Sequence, residues 1–222
     1  PQTTKTLVGT VSISINTWYH VALCRSGNNL YIFFNGSVMD SDTWTGTLNY
    51  RDNPFYIGAY GGPYDYFKGN IAEFRISSSA RWTADFSASL PTAKYADDAN
   101  TVSLLHFDEA DGSTYTKDTA ANWTIDGAAQ FYDEKGKVWT VSGNAQLDTA
   151  QYKWTASGLF DGSGDQISSD ASSDFDFGSG DFTIDFWLRR DGDINDYGGV
   201  VAATSNSRNG WNISFGSTGA ST

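Results

Sequence analysis

The sequence of 222 residues holds few of the residues that form cross-links or acid–base sites. Its single cysteine, Cys24, excludes a disulfide within the chain, and its only histidines are His20 and His106. The three glutamates are isolated from one another: Glu73, Glu109 and Glu134. Glycoside hydrolysis uses two carboxyl groups that flank one bond, and the sequence lacks such a glutamate pair. We therefore expect a protein that is not an enzyme, with glycoside hydrolysis as a minor alternative.

The chain also lacks long apolar runs and an excess of positive charge. No stretch of 18 or more apolar residues occurs, and the N-terminus lacks the shape of a signal peptide, so membrane insertion is not expected. The net charge is −12, and aspartate supplies nearly all of the negative charge. Because binding to a phosphate backbone relies on lysine and arginine, nucleic acid is not an expected partner.

Aromatic residues and glycine are abundant, with 14 Phe, 12 Tyr, 8 Trp and 23 Gly. Aromatic and β-branched residues suit pleated, half-buried surfaces, so this composition favours β-sheet. The stretch 17–39 predicts three strands joined by turns at Gly27-Asn28-Asn29 and at Asn35-Gly36, the latter a strong hairpin signal. Cys24 falls inside the first of these strands, where we expect a buried, unreactive thiol.

Further strands are predicted along the rest of the chain, and no segment has a convincing helical period. Alternation of apolar and polar residues predicts a strand at 11–15, and short apolar runs predict others at 55–59, 67–77, 101–108 and 181–190. In the 67–77 strand, alternation places Ile71 and Glu73 on one face, with Ala72 and Phe74 on the other. Several of these strands are apolar on both faces, as the inner layers of a sandwich require. The sequence therefore predicts an all-β, two-sheet antiparallel sandwich.

Several of these strands also carry a family resemblance. The relevant segments are Trp18-Tyr-His-Val-Ala22 with Leu30-Tyr-Ile-Phe-Phe-Asn-Gly36, then 55–58, 67–76, 158–165 and 180–187. Together they resemble the laminin-G-like, concanavalin A-like lectin jelly rolls of the type found in phage tail fibres and virion proteins. The resemblance implies a concanavalin A-like β-sandwich.

The order of these motifs differs from that of the family. Residues 1–95 resemble the second half of a laminin-G-like jelly roll, and residues 101–222 resemble the first half, with a polar hinge at 96–100. Three arrangements remain open: a permuted domain paired within one chain, halves completed by a neighbouring copy, or one period of a tandem array. The last two imply self-association or a neighbouring repeat as a partner.

The resemblance further implies a function in glycan or cell-surface recognition and adhesion, at an extracellular location or on a virion surface. Sugars stack on exposed aromatic rings and donate hydroxyl groups to carboxylates. The candidate carbohydrate-binding residues are Tyr60, Tyr64, Asp65, Tyr66 and Trp44. Packing of the tyrosines against their own sheet edge is an equally open interpretation. The main alternative function is a structural repeat of a head-to-tail filament or surface assembly that binds no small ligand.

Calcium is the one cofactor that the sequence suggests. The wider family holds calcium on a sandwich rim through aspartate and carbonyl oxygens, and calcium needs six to eight such ligands. Two groups of aspartates are candidates for this role: Asp161, Asp165, Asp174 and Asp176 in the first, and Asp191, Asp193 and Asp196 with Asn195 in the second.

Overall fold

The computed structural model describes residues 5–48, 54–60, 65–108, 130–192, 198–204 and 210–215. These residues form two antiparallel sheets that pack face to face. The larger sheet contains β1 (Trp18–Ser26), β2 (Asn29–Phe34), β3 (Ser37–Thr43), β5 (Lys68–Ser77), β6 (Thr101–Leu105), β9 (Gln146–Asp148), β10 (Ser157–Asp161) and β12 (Phe182–Arg190). The smaller contains β4 (Phe55–Ile57), β7 (Gln130–Tyr132), β8 (Val138–Ser142), β11 (Gln166–Ser169), β13 (Gly198–Thr204) and β14 (Gly210–Phe215). The prediction of an all-β, two-sheet antiparallel sandwich is confirmed.

The strand order is β3-β2-β1-β12-β5-β10-β9 in the larger sheet, where β6 also pairs with β5, and β14-β13-β4-β11-β8-β7 in the smaller. The only helical segments in the described part of the chain are two 3₁₀ turns, Ser87–Ser89 and Ser173–Phe175. No helix among the described residues is long and apolar enough to cross a membrane.

In both sheets, strands from the first part of the chain lie next to strands from the last part. β1 lies beside β12, with Val21 opposite Phe186, and β4 lies between β11 and β13. In this single chain, therefore, residues 1–95 and 101–222 supply neighbouring strands. The assignment of these segments to the second and first halves of a family domain stays a prediction.

Turn chemistry places the β1–β2–β3 hairpins where the sequence predicts them. Gly27 has a φ of 57°, and Asn35 and Gly36 have φ values of 48° and 77°. Two successive positive φ angles are what an Asn-Gly hairpin turn requires. The amide of Asn35 donates to the carbonyl of His20 (2.8 Å), and its side-chain Oδ1 accepts the His20 amide (2.9 Å).

The core lies between the two sheets and is rich in aromatic rings. β12 contributes alternate residues to it, Phe182, Ile184, Phe186 and Leu188, all fully buried. Trp139 of the smaller sheet contacts Phe74 of the larger one with ring centroids 6.2 Å apart. Burying a side chain of this size stabilises the fold by about 1.5–3 kcal/mol relative to leaving it exposed.

The outer face of the larger sheet is also covered. Residues 78–95, here called the strap, follow β5 and pack Trp82, Phe86 and Tyr95 onto that face. Trp82 stacks on Phe86 (4.1 Å between centroids), and the Phe86 amide donates to the carbonyl of Gly36 (2.8 Å). Because the strap covers the second face of the sheet, every residue of β12 is buried.

Cys24 lies fully buried in the cluster that contains Phe86, and burial raises the pKa of its thiol to about 11. At neutral pH the sulfur is therefore a protonated thiol rather than a nucleophilic thiolate. This agrees with the expectation of an unreactive core cysteine.

Two sequence-based expectations about strands are wrong. Residues 11–15 do not form a strand: Ile13 packs against the core, and the amide of Ser14 donates to the Tyr19 hydroxyl (2.9 Å) rather than to a neighbouring strand. In β5, simple alternation fails because Glu73 forms a β-bulge with φ 53°. Because the bulge adds one residue to β5, Ile71 and Phe74 both face the core, whereas Ala72 and Glu73 both lie on the outer face of the sheet.

Candidate functional site

The base of the tyrosine-rich loop is fixed at one rim of the sandwich by contacts with β4, β13 and the residues after β4, all on the side of the smaller sheet. Tyr66 forms bridges with Ala59 at the end of β4 and with Gly199 in β13. The amide of Phe67 donates to the Gly58 carbonyl (2.9 Å), and that of Gly199 to the Asp65 carbonyl (3.0 Å). A Cβ atom on Gly199 would lie 2.4 Å from the Tyr60 nitrogen, so only glycine permits this approach.

These contacts bring together three of the predicted carbohydrate-binding residues, Tyr60, Asp65 and Tyr66, each partly exposed. Tyr64 lies outside the described residues. A pocket of about 110 Å³ opens beside Tyr66, and its lining joins both sheets: Tyr66, Phe67, Lys68, Asp161, Gly162, Arg190, Gly198 and Phe215. We call this feature the rim pocket. Its walls combine aromatic rings with groups of both charges.

Strand register determines the charged part of the rim pocket. Lys68 begins β5 and lies directly opposite Asp161, the last residue of β10, while Arg190 ends β12 opposite Gly69. Lys68 and Asp161 form no ion pair with each other in the structure, although opposite charges at such positions commonly attract. Asp161 instead accepts the Ser163 amide (2.7 Å).

Trp44, the fifth predicted carbohydrate-binding residue, lies at the opposite end of the larger sheet. It is buried, and its carbonyl accepts from the Arg25 guanidinium (3.3 Å), which lies over the indole ring at 5.2 Å from its centroid. Arg25 ends β1 opposite Phe182, whereas the rim pocket adjoins the other end of β12. Trp44 therefore contributes to packing at a distance from the rim pocket.

Of the first group of aspartates, the structure brings together only Asp161 and Asp165. Asp161 and Asp165 precede β11, whereas Asp174 and Asp176 follow it. Asp165 is buried and accepts the amides of Asn144 (2.7 Å) and Asp161 (2.8 Å), and burial raises its pKa. Asp174 pairs with Lys137.

Of the second aspartate group, Asp191 is exposed beside β12, and Asp193, Asn195 and Asp196 lie outside the described residues. Among the residues described, no group of three or more His, Cys, Asp or Glu side chains is placed to hold a metal ion. Calcium binding stays a prediction.

A second charged region lies beneath the strap, and here every charge is enclosed. The Arg75 guanidinium donates twice to Asp185, at 3.1 and 2.9 Å, and the Asp185 side chain is fully buried. Burial opposes ionisation of Asp185, but His20 and Arg75 outweigh it and hold the pKa below its usual value. Arg75 also lies 4.1 Å from the ring centroid of Tyr95 in the strap.

The strap is joined to this region through Glu73. Its Oε2 accepts the Tyr95 amide (2.7 Å) and lies 2.8 Å from His106 Nδ1, while the Tyr95 hydroxyl lies 2.9 Å from His20 Nε2. Burial lowers the pKa of His106, but the hydrogen bond and charge of Glu73 outweigh it and raise the pKa above its usual value. Both histidines therefore have polar partners within the fold.

Comparison with known proteins supports the interpretation that the fold suggests. Residues 2–85 match the laminin G family described as the concanavalin A-like lectin/glucanases superfamily. This match, which covers less than half of the chain, supports a laminin-G-like, concanavalin A-like domain. No curated protein and no solved structure matches the chain. Laminin-G-like families are typically non-catalytic binding modules and are often extracellular, and the match supports a carbohydrate- or surface-binding module.

Of the eight residues that line the rim pocket, the sequence predicts only Tyr66 and Asp161 as site residues, and the side chains that it misses include Lys68, Arg190 and Phe215. These three residues are far apart in the chain: Lys68 begins β5, Arg190 ends β12 and Phe215 ends β14. Their only sequence signal is position, because Lys68 and Arg190 flank the apolar parts of two predicted strands, and the pairing of those strands is seen only in the structure.

Proposed function

We propose that this chain is a non-enzymatic, extracellular module that recognises glycans through the rim pocket. The observation that carries the proposal is the convergence of Tyr66 with Lys68, Asp161 and Arg190 at one accessible rim. An aromatic ring beside several polar groups suits a sugar, whose apolar face stacks on the ring while its hydroxyls form hydrogen bonds. Exposure on a virion or a cell surface is the setting in which such a module would serve adhesion.

The location of the acidic residues supports the absence of catalysis. Glu73 and Asp185 are buried beneath the strap, where each already has polar partners, so a substrate cannot reach them. Glu134 is exposed in a turn, and Glu109 lies outside the described residues. A glycosidase needs two carboxyl groups that face one cleft, and the described residues offer no such pair of glutamates.

A glycan array tests the proposal directly, with the intact protein compared with Tyr66→Ala. Loss of one aromatic contact is worth about 0.5–1.5 kcal/mol beyond area burial, so binding to the recognised glycans should fall by about 3- to 10-fold. Tyr152→Ala is the matched control, because Tyr152 is 49 % exposed and does not line the pocket. Identical array profiles for the Tyr66→Ala variant and the intact protein would overturn the site assignment.

A further inference from the structure

The rim pocket holds an exposed lysine that has no carboxylate partner among the described residues. In a chain of net charge −12, six described cationic side chains pair with carboxylates: Lys5, Arg75, Arg81, Lys94, Lys135 and Lys137. Lys68 makes no such pair, although Asp161 is its direct cross-strand neighbour. Carboxylates outnumber cationic side chains in this protein, so a lysine in the pocket lining would be expected to pair with one of them. Among the described residues, Lys68 does not.

The position of the Lys68 amine explains why this pair does not form. A Cβ placed on Gly192 would lie 3.6 Å from Lys68 Nζ, so the ammonium group lies beside the residues that follow β12, whereas the stem of the side chain lies beside Gly162. Asp161 accepts the Ser163 amide, and with the Asn144 amide oriented to donate, Asn144 Nδ2 lies 3.1 Å from Asp161 Oδ2. The ammonium and the carboxylate are therefore separate groups of the pocket lining, with no ion pair between them.

From this separation we infer that the rim pocket recognises a sugar that bears one carboxylate, such as a uronic acid residue of an acidic polysaccharide. The inference rests on the proposed function and specifies its ligand class. Lys68 receives the ligand's carboxylate, and Asp161 accepts its hydroxyl groups. The Tyr66 ring contacts the apolar edge of the sugar.

The negative charge of Asp161 in the pocket should favour a sugar that bears one carboxylate over anions that carry two negative charges. A carboxylate at Asp161 repels a second negative charge, so the pocket disfavours phosphate and sulfate dianions relative to a monoanion that also donates hydroxyls. A volume of about 110 Å³ suits part of one sugar residue rather than an enclosed oligosaccharide. The polysaccharide chain then extends into solvent, as binding at a rim requires.

The test measures binding of the full chain to polygalacturonate, to the same polymer after methyl esterification, and to neutral dextran. Esterification removes the charge and keeps the sugar, so we expect at least a 10-fold loss of affinity for the esterified polymer. Binding to polygalacturonate should weaken as salt rises from 50 to 500 mM, as screening of exposed charges requires. Inorganic phosphate at equal ionic strength should compete no better than chloride.

Variants assign the effect to Lys68. Lys68→Gln should lower the affinity for polygalacturonate by about 10-fold, and Lys68→Arg should restore most of it because it restores the charge. Lys135→Gln, which changes the net charge equally but lies outside the pocket, should bind as the intact protein does.

The outcomes separate the two proposals. Equal, Tyr66-dependent binding to the acidic and esterified polymers would overturn the inference and leave the proposed function standing. Competition by phosphate as strong as that by galacturonate would also overturn the inference. Absence of binding to these polymers combined with Tyr66-dependent binding to neutral glycans on the array would again reject only the inference. Absence of binding to every glycan would reject both.

Discussion

Strands β5 and β12 contribute charged residues to two regions of the larger sheet. One region is the rim pocket, and the other lies beneath the strap. At one end of the strands, Lys68 and Arg190 line the open rim pocket. In the middle, Arg75 and Asp185 lie beneath the strap, where the carboxylate is fully buried. The buried pair is joined by two hydrogen bonds, whereas Lys68 and Asp161 remain apart across the pocket.

The difference indicates how one sheet supports both stability and recognition. A charge removed from water requires a partner, because an unpaired buried ion costs several kcal/mol. The exposed Lys68 ammonium group at the rim is instead solvated by water and is available to a ligand. The strap therefore determines which charges of the sheet are structural and which can serve binding.

Asp185→Asn should have the largest effect on stability, because it leaves the Arg75 guanidinium buried without a counter-charge. We expect the free energy of unfolding to fall by about 3–5 kcal/mol, measured by urea denaturation. Asp97→Asn is the control, since Asp97 pairs with Lys135 at the surface and such pairs contribute about 1 kcal/mol or less. Equal losses in the two variants would contradict the distinction between covered and open charges.

The Glu73–His106 pair should make the attachment of the strap dependent on pH. Because the pKa of His106 is raised in the folded protein, its contribution to stability is fully present below the unfolded value of about 6.5 and is lost as pH rises through the folded value. Glu73 gives the largest attraction, and Asp108 and Glu134 add to it.

This pH dependence can be measured by comparing the free energy of unfolding at pH 6 and pH 9 for the intact protein and for His106→Gln. The intact protein should lose more stability over this interval, by about 1 kcal/mol or less because the pair is partly exposed. Other groups that titrate in this range, including Cys24, contribute equally to both proteins. A smaller loss in the intact protein than in the variant would show that the sign is wrong.

Lys68→Gln should have the smallest effect on stability while it alters recognition. Substitutions at exposed positions without partners usually change the free energy of unfolding by about 0.5 kcal/mol or less, and Lys68 is exposed. Thermal and urea denaturation should therefore give nearly the same result as the intact protein. A loss of more than about 2 kcal/mol, the scale expected for buried charges, would assign Lys68 a structural role.

Much of the fold could be predicted from local patterns. The Asn35-Gly36 turn defines the β2–β3 hairpin because positive φ angles at both positions suit these residues. The predicted strand at 101–108 is present as β6, which ends at Leu105, with Leu105 in the core and Leu104 in the outer cluster. The bulge at Glu73 could not be predicted, because its positive φ depends on contacts with Tyr95 and His106 and has no local sequence signal.

The candidate site was predicted only in part for a related reason. Tyr60, Asp65 and Tyr66 are close in the chain, so their proximity follows from one loop. Of these three, Tyr66 lines the rim pocket, and Lys68, Arg190 and Phe215 join it there through pairing between distant strands, which depends on register. Trp44 was assigned to the same site from its type alone, and the fold places it beside Arg25 at the other end of the sheet.

By itself, the sequence determined the secondary structure class, the hairpin turns, the apolar faces of the strands and the laminin-G-like pattern, because these depend on residue type at short spacing. The tertiary structure alone decided which charges are covered and which remain open. Whether a charged residue is covered depends on where the strap crosses the larger sheet. Whether a pocket forms depends on which strand ends lie next to each other. Both are set by long-range pairing in which the total burial of apolar surface outweighs local preference.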